Sequence, residues 1–248
     1  MRITVIVVIV LFLSLNAFSQ SIRLTEIRDD FESDSLSSSW SNDKFVLGAV
    51  EFQSERVRSG KKAVRITLRG GDQIDEEKGS IFERAELKEL KKLCSNEDSL
   101  HSYSFSLFLP EDFPNVKTRL VIAQWKHNCQ SGNCDPDNPV IALRFVSGEL
   151  CVTLQTGPER LTLYRLSEDV LNKWMDFKFR IRFSRNQNGI LYATLNNKTI
   201  IDYKGVTAYT ENFGYPYPGK FYFKMGLYRD RMVQPMTIYF DDYQKQQL

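Results

Sequence analysis

The sequence predicts an all-β chain: two antiparallel sheets packed face to face as a β-sandwich jelly roll. Three observations carry this. In Phe177-Lys178-Phe179-Arg180-Ile181-Arg182-Phe183 every odd position is apolar and every even one basic, a separation that only a strand with one buried face achieves. Short runs of strand character recur at 102–109, 120–125, 140–146, 150–155, 190–196, 199–203, 221–228 and 237–243. Turn residues punctuate many of them, as in Asn186-Gln187-Asn188-Gly189, Asn196-Asn197 and Tyr215-Pro216-Tyr217-Pro218-Gly219.

Along the chain, Arg2 precedes an apolar run from Ile3 to Leu15, followed by Asn16-Ala17-Phe18-Ser19. The run falls short of the roughly 20 residues that span a bilayer, and its small-residue exit is that of a signal peptide. Residues 1–19 are therefore expected to be a leader, cleaved before Gln20, and the mature protein secreted or periplasmic with no membrane association. Residues 20–248 contain no linker-like tract or internal repeat and are expected to form one domain, taken as a monomer. The formal net charge is only +2, which argues against a general nucleic-acid binder and leaves room for a locally basic groove.

One stretch resists the strand pattern. Asp75-Glu76-Glu77 followed by Arg84-Ala85-Glu86-Leu87-Lys88-Glu89-Leu90-Lys91 has the propensity and i,i+4 charge spacing of a helix. As a strand, it would send Arg84, Glu86 and Lys88 one way and Ala85 and Leu87 the other. A short helix or turn is expected at 167–170, ahead of Trp174. Four cysteines, Cys94, Cys129, Cys134 and Cys151, suit an exported chain, and three pairings are open. The spacing of Cys129 and Cys134 suits a local disulfide; a zinc site would want a second tight pair. Asn197-Lys198-Thr199 is a glycosylation sequon that matters only in a eukaryotic source.

The segment richest in chemistry is Lys220 to Tyr228. Phe221, Phe223, Met225 and Leu227 form its apolar face, and Lys220, Tyr222, Lys224, Gly226 and Tyr228 the other. A wet strand would also be polar on one side, but here that side combines two phenols, a lysine and a glycine. Glycine within a strand marks close approach by a ligand or another backbone. In Ile122-Ala123-Gln124-Trp125-Lys126-His127, alternation sends Gln124 and Lys126 to one side and Trp125 and His127 to the other. The second histidine is His101, and a lone histidine is more often structural than catalytic.

Taken in order, Glu83-Arg84-Ala85-Glu86-Leu87, Ile122-Ala123-Gln124-Trp125-Lys126, Trp174 with its basic strand, and Tyr222-Phe223-Lys224-Met225-Gly226-Leu227-Tyr228-Arg229 resemble the jelly-roll polysaccharide lyases. The likeness is closest to the glucuronan lyase and heparin lyase I type and more distant to alginate lyases. The resemblance implies a concanavalin-like sandwich with a concave groove and β-elimination at a uronic acid of an acidic polysaccharide, with no catalytic cofactor. It implies Tyr228 as base and acid with Lys224 beside it, and Gln124 with Arg84 on the substrate carboxylate. Nearby cations would favour the phenolate of Tyr228. Glu86, Tyr222 and Arg229 become candidate substrate contacts. Relatives commonly read Gln-x-His where this chain has Gln124-Trp125-Lys126-His127, so Lys126 stands in the histidine's position. Strand direction favours Lys126 and imidazole chemistry favours His127. Asp29-Asp30-Phe31-Glu32 and Tyr239-Phe240-Asp241-Asp242 look like the terminal strands of sandwiches that carry a structural calcium, making Glu32 and Asp242 candidate ligands. Two other functions compete: a non-catalytic lectin of the same fold, and a glycoside hydrolase, which would need paired carboxylates that no Glu-x-Asp-x-x-Glu strand supplies.

Overall fold

The computed structural model describes residues 26–72, 82–130, 132–166 and 170–248. The expected leader, the acidic run 75–77 and most of the expected turn at 167–170 lie outside them. Two antiparallel sheets pack face to face. The first runs β14 (Lys198–Gly205), β13 (Gly189–Leu195), β12 (Lys173–Arg182), β7 (Leu100–Leu109), β16 (Met236–Gln247), β4 (Ala63–Leu68) and β3 (Val50–Gln53), with β1 (Glu26–Asp29) also on β16. The second runs β11 (Arg160–Leu166), β10 (Glu149–Gln155), β9 (Ile141–Val146), β8 (Leu120–His127), β15 (Lys220–Asp230), β5 (Phe82–Glu89) and β2 (Trp40–Ser41), with β6 (Ser95–Asn96) also on β15. Among the described residues there are no α-helices, and none that is long and apolar enough to cross a membrane.

Alternation places the core. Phe177, Phe179, Ile181 and Phe183 are buried while Lys178 and Arg180 are exposed, and Phe221, Phe223, Met225 and Leu227 meet them from the second sheet. The sheets are joined by aromatic contacts: Trp125 on Phe179 at 4.6 Å, Phe105 on Phe223 at 5.8 Å and Phe223 stacked on Tyr243 at 5.4 Å. Each such side chain contributes about 1.5–3 kcal/mol on burial.

The segment with helical propensity is the strand β5, paired with β15 on one side and β2 on the other. Helix preference differs by less than about 1 kcal/mol per residue. That is outweighed here by two ladders and by the burial of Ala85 and Leu87 against the core. The same parity buries two carboxylates, and each has a cation. Glu83 accepts from Arg229, and Glu89 accepts from Lys245 Nζ at 2.9 Å and from Tyr243 at 2.5 Å. Cys129 and Cys134 form the expected disulfide, whereas Cys94 and Cys151 are free thiols.

Candidate active site

Strands β5, β15, β8 and β9 carry one face of the second sheet, and a groove of about 620 Å³ opens over it. Cross-strand register sets its contents. Arg84 lies opposite Tyr228, Tyr228 opposite Val121, and Val121 opposite Arg144; one step along, Lys224 lies opposite Gln124. A bulge in β8 between Val121 and Ala123 lets Ile122 and Ala123 both enter the core, so that Val121 and Gln124 both face the groove. On β15 Gly226 holds the ladder together. A Cβ there would lie 2.2 Å from the Ala85 carbonyl oxygen and 2.7 Å from the Glu86 Cα, so the close approach that glycine signals is that of β5.

Beneath the groove, Glu86 joins two of the candidates. It is 1% exposed; one carboxylate oxygen accepts from Gln124 Nε2 and the other from Lys224 Nζ at 2.8 Å. A carboxylate only accepts, so the amide of Gln124 must turn its NH₂ toward Glu86, which fixes its orientation. Burial pushes Lys224 down to about 8 against the pull of Glu86. The Arg84 guanidinium lies 4.9 Å from the centre of the Tyr228 ring, and Phe82 packs on that ring at 5.3 Å. Burial raises the Tyr228 phenol above its ordinary value, and Arg84 and Arg119 offset this only in part. The resting phenol is thus neutral: Arg84 favours the phenolate as expected, but burial outweighs it. Lys126 faces the groove and binds Asp137 at 2.8 Å.

Arg84, Gln124, Lys126, Lys224 and Tyr228 therefore share one groove. A family model described as polysaccharide lyase matches residues 31–244. The chain belongs to the polysaccharide lyase family. No curated protein sequence matches it. Among solved structures, this lyase is similar to an endo-β-1,4-glucuronan lyase from the fungus Trichoderma reesei, with TM-score 0.65 and 16% identity over 87% of this chain and 94% of that one. It is also similar to an alginate lyase of polysaccharide lyase family 7, with TM-score 0.59 and 15% identity over 82% and 84%. At such identity the likeness is one of fold, and it agrees with the jelly roll read from the sequence.

Other residues singled out in the lyase's sequence lie elsewhere. His127 does not reach the groove. The register from Lys224–Gln124 to Phe221–His127 is unbroken, so no bulge turns it. Its ring is buried between Tyr215 at 4.4 Å and Phe221 at 4.3 Å, and burial, with Arg185 nearby, pushes it down to about 3. His101 is buried at the edge of β7 and bonded to the Ser99 carbonyl. Arg229 is a core residue, not a substrate contact. It is fully buried, bonded to Glu83 at 3.0 Å and to the carbonyls of Met232 and Gln234. Glu86 serves the floor, since both its oxygens are taken. Tyr222 stays on the polar face opposite Lys126, with Lys88 Nζ 5.6 Å from its ring centre.

The calcium expectation does not fit the residues present. Glu32 accepts from the Lys61 amide at 2.8 Å and the Lys62 amide at 3.1 Å, and Asp242 accepts from Ser59 Oγ. Converging donors are what a cation site lacks. Among the described residues no group of three or more His, Cys, Asp or Glu could hold a metal ion.

Sequence reasoning missed Arg119, Arg144, Arg160, Lys117 and Asp137, which also line the groove. For Arg144 a signal existed: it is the one charge in the apolar strand Ile141-Ala142-Leu143-Arg144-Phe145-Val146.

Proposed function

We propose that this lyase is an exported enzyme that cleaves a uronic-acid-containing polysaccharide of the glucuronan or heparin type by β-elimination. Gln124, Arg84 and Lys126 neutralise the uronate carboxylate, which makes the C5 proton removable. Tyr228, as the phenolate formed when the phenol gives its own proton to solvent, takes the C5 proton, a C4–C5 double bond forms, the C4–O bond breaks, and the phenol so regenerated returns the proton to the departing oxygen. The products are a 4,5-unsaturated uronate end and a new reducing-side hydroxyl, with no water consumed. Lys224 and Glu86 hold Gln124 at the developing enolate charge.

The observation that supports this best is the clustering of Tyr228, beneath the Arg84 guanidinium, with the anchored amide of Gln124 in a cationic groove. The test is a panel of glucuronan, heparin-type glycans and alginate followed by ultraviolet absorbance. Unsaturated ends should accumulate on at least one polymer, one for each new reducing end. New reducing ends without matching unsaturated ends would mean hydrolysis. Binding without new ends on every polymer would mean a lectin.

A further inference from the structure

The groove holds more positive charge than one carboxylate requires. Its lining has seven cationic side chains, Arg84, Lys117, Arg119, Lys126, Arg144, Arg160 and Lys224, against two carboxylates, Asp137 and Asp230. Asp137 is occupied by Lys126 and Asp230 by Arg119 at 3.5 Å. Arg144 differs from the rest. It is 6% exposed, yet among the described residues no carboxylate pairs with it. Among the described residues its one side-chain hydrogen bond runs from Nε to Thr153 Oγ1 at 3.1 Å, and Thr153 in turn donates to the Ala142 carbonyl. This orients the guanidinium while leaving its two Nη groups for another partner.

A buried cation without an anion is costly, and Arg160 and Arg119 raise that cost. Burial and those two arginines push Arg144 down to about 10. A structural arginine would have acquired a partner, as Arg229 has in Glu83. In the ladder Arg144 stands beyond Val121 from Tyr228, two strand spacings away, roughly 10 Å. That offset suits the next sugar of a chain crossing the strands rather than the sugar whose carboxylate lies beside Tyr228.

We propose that Arg144, flanked by Arg160, is a second anion site that receives the acidic group of a neighbouring sugar, so that the lyase requires a contiguous polyanion. The substrate class is then a polymer with charge on successive sugars, not one in which uronates alternate with neutral residues. This rests on the elimination function proposed above for its substrate, while its own test is binding.

Saturated oligomers of glucuronan, and oligomers in which glucuronate alternates with neutral N-acetylglucosamine, are titrated calorimetrically into Tyr228→Phe protein with and without Arg144→Gln. Losing a charge-assisted, two-pronged contact should weaken glucuronan oligomer binding roughly 10- to 100-fold and leave the alternating oligomer within about threefold. Arg160→Gln, at an exposed position that poses no folding risk, should weaken the same binding by a smaller factor and carries the test if Arg144→Gln does not fold. Because Arg144 has no anionic partner to orphan, Arg144→Gln should melt no lower than the parent. Equal weakening of both oligomers, no weakening by either variant, or no binding of either oligomer would overturn the second site. Absorbance on the same polymers with wild-type protein separates the two claims. Arg144-dependent binding without unsaturated products refutes elimination alone; products that form equally well without Arg144 refute the second site alone.

Discussion

Replacing Glu86 by Gln tests the floor of the groove. The Glu86 and Lys224 side chains are 2% and 7% exposed and meet at 2.8 Å, so they form a buried pair. Removing one member of such a pair typically costs about 3–5 kcal/mol because the other charge is left uncompensated. Lys224 can escape part of that cost: already near 8 with its partner, it should fall further without it and shed its proton near neutrality. We therefore expect the lower end, about 3 kcal/mol, which for a domain of this size lowers Tm by roughly 6–12 °C. Activity should drop as well, because an amide offers one accepting oxygen where Gln124 and Lys224 each take one, so Gln124 is no longer held in a single orientation. The double variant Glu86→Gln, Lys224→Met removes both charges and should regain at least half of the lost stability while remaining poorly active. The assay is thermal and urea unfolding of wild type, both single variants and the double, at pH 7. Additive losses would refute the pairing, and so would a Glu86→Gln protein as stable as wild type.

The pH profile of kcat/KM follows from two groups with displaced values. The cationic form of Lys224 is lost above about 8, whereas the phenolate of Tyr228 forms only above the ordinary tyrosine range. If both forms are required, kcat/KM rises tenfold per pH unit up to about 8, stays level, and falls only once Tyr228 is ionised. A maximum below pH 7 would contradict the pairing of roles. Gly226→Ala should destabilise by several kcal/mol, of the order of 3, since its Cβ meets backbone rather than a flexible side chain; an unchanged melt would show that β5 can retreat. Lys126→Met should cost about 100-fold or more in kcat/KM, while folded His127→Asn should keep activity within about threefold. The reverse pattern would restore the histidine to the site.

Much of the fold was legible because alternation is a local property. The strand β12 and the polar face of β15 could be read residue by residue, and parity alone put Gln124 and Lys126 on one side and His127 with Trp125 on the other. Parity was also the better guide where a motif suggested otherwise. Arg229 continues the series Phe221, Phe223, Met225, Leu227 and is buried with them. The strand β5 was ambiguous because its charges satisfy helix spacing, and the pairing with β15 that decides the matter comes from residues more than a hundred positions away. The same non-locality hid Arg144. Its isolation in an apolar strand was visible, but its place beyond Val121 from Tyr228 depends on sheet order and on the bulge in β8. Glu86 was visible as part of a motif, yet its role beneath Gln124 and Lys224 required all three strands.

The most direct measurement is the ultraviolet progress curve on glucuronan for wild type and Tyr228→Phe at equal concentrations of folded protein. The substitution keeps the packing against Phe82 and Arg84 and removes only the hydroxyl. Wild type should produce unsaturated ends steadily, and the variant should be slower by about 10²–10⁴-fold while still binding the polymer. A Tyr228→Phe protein that cleaves at the wild-type rate would contradict the assignment of Tyr228 as the group that moves the proton.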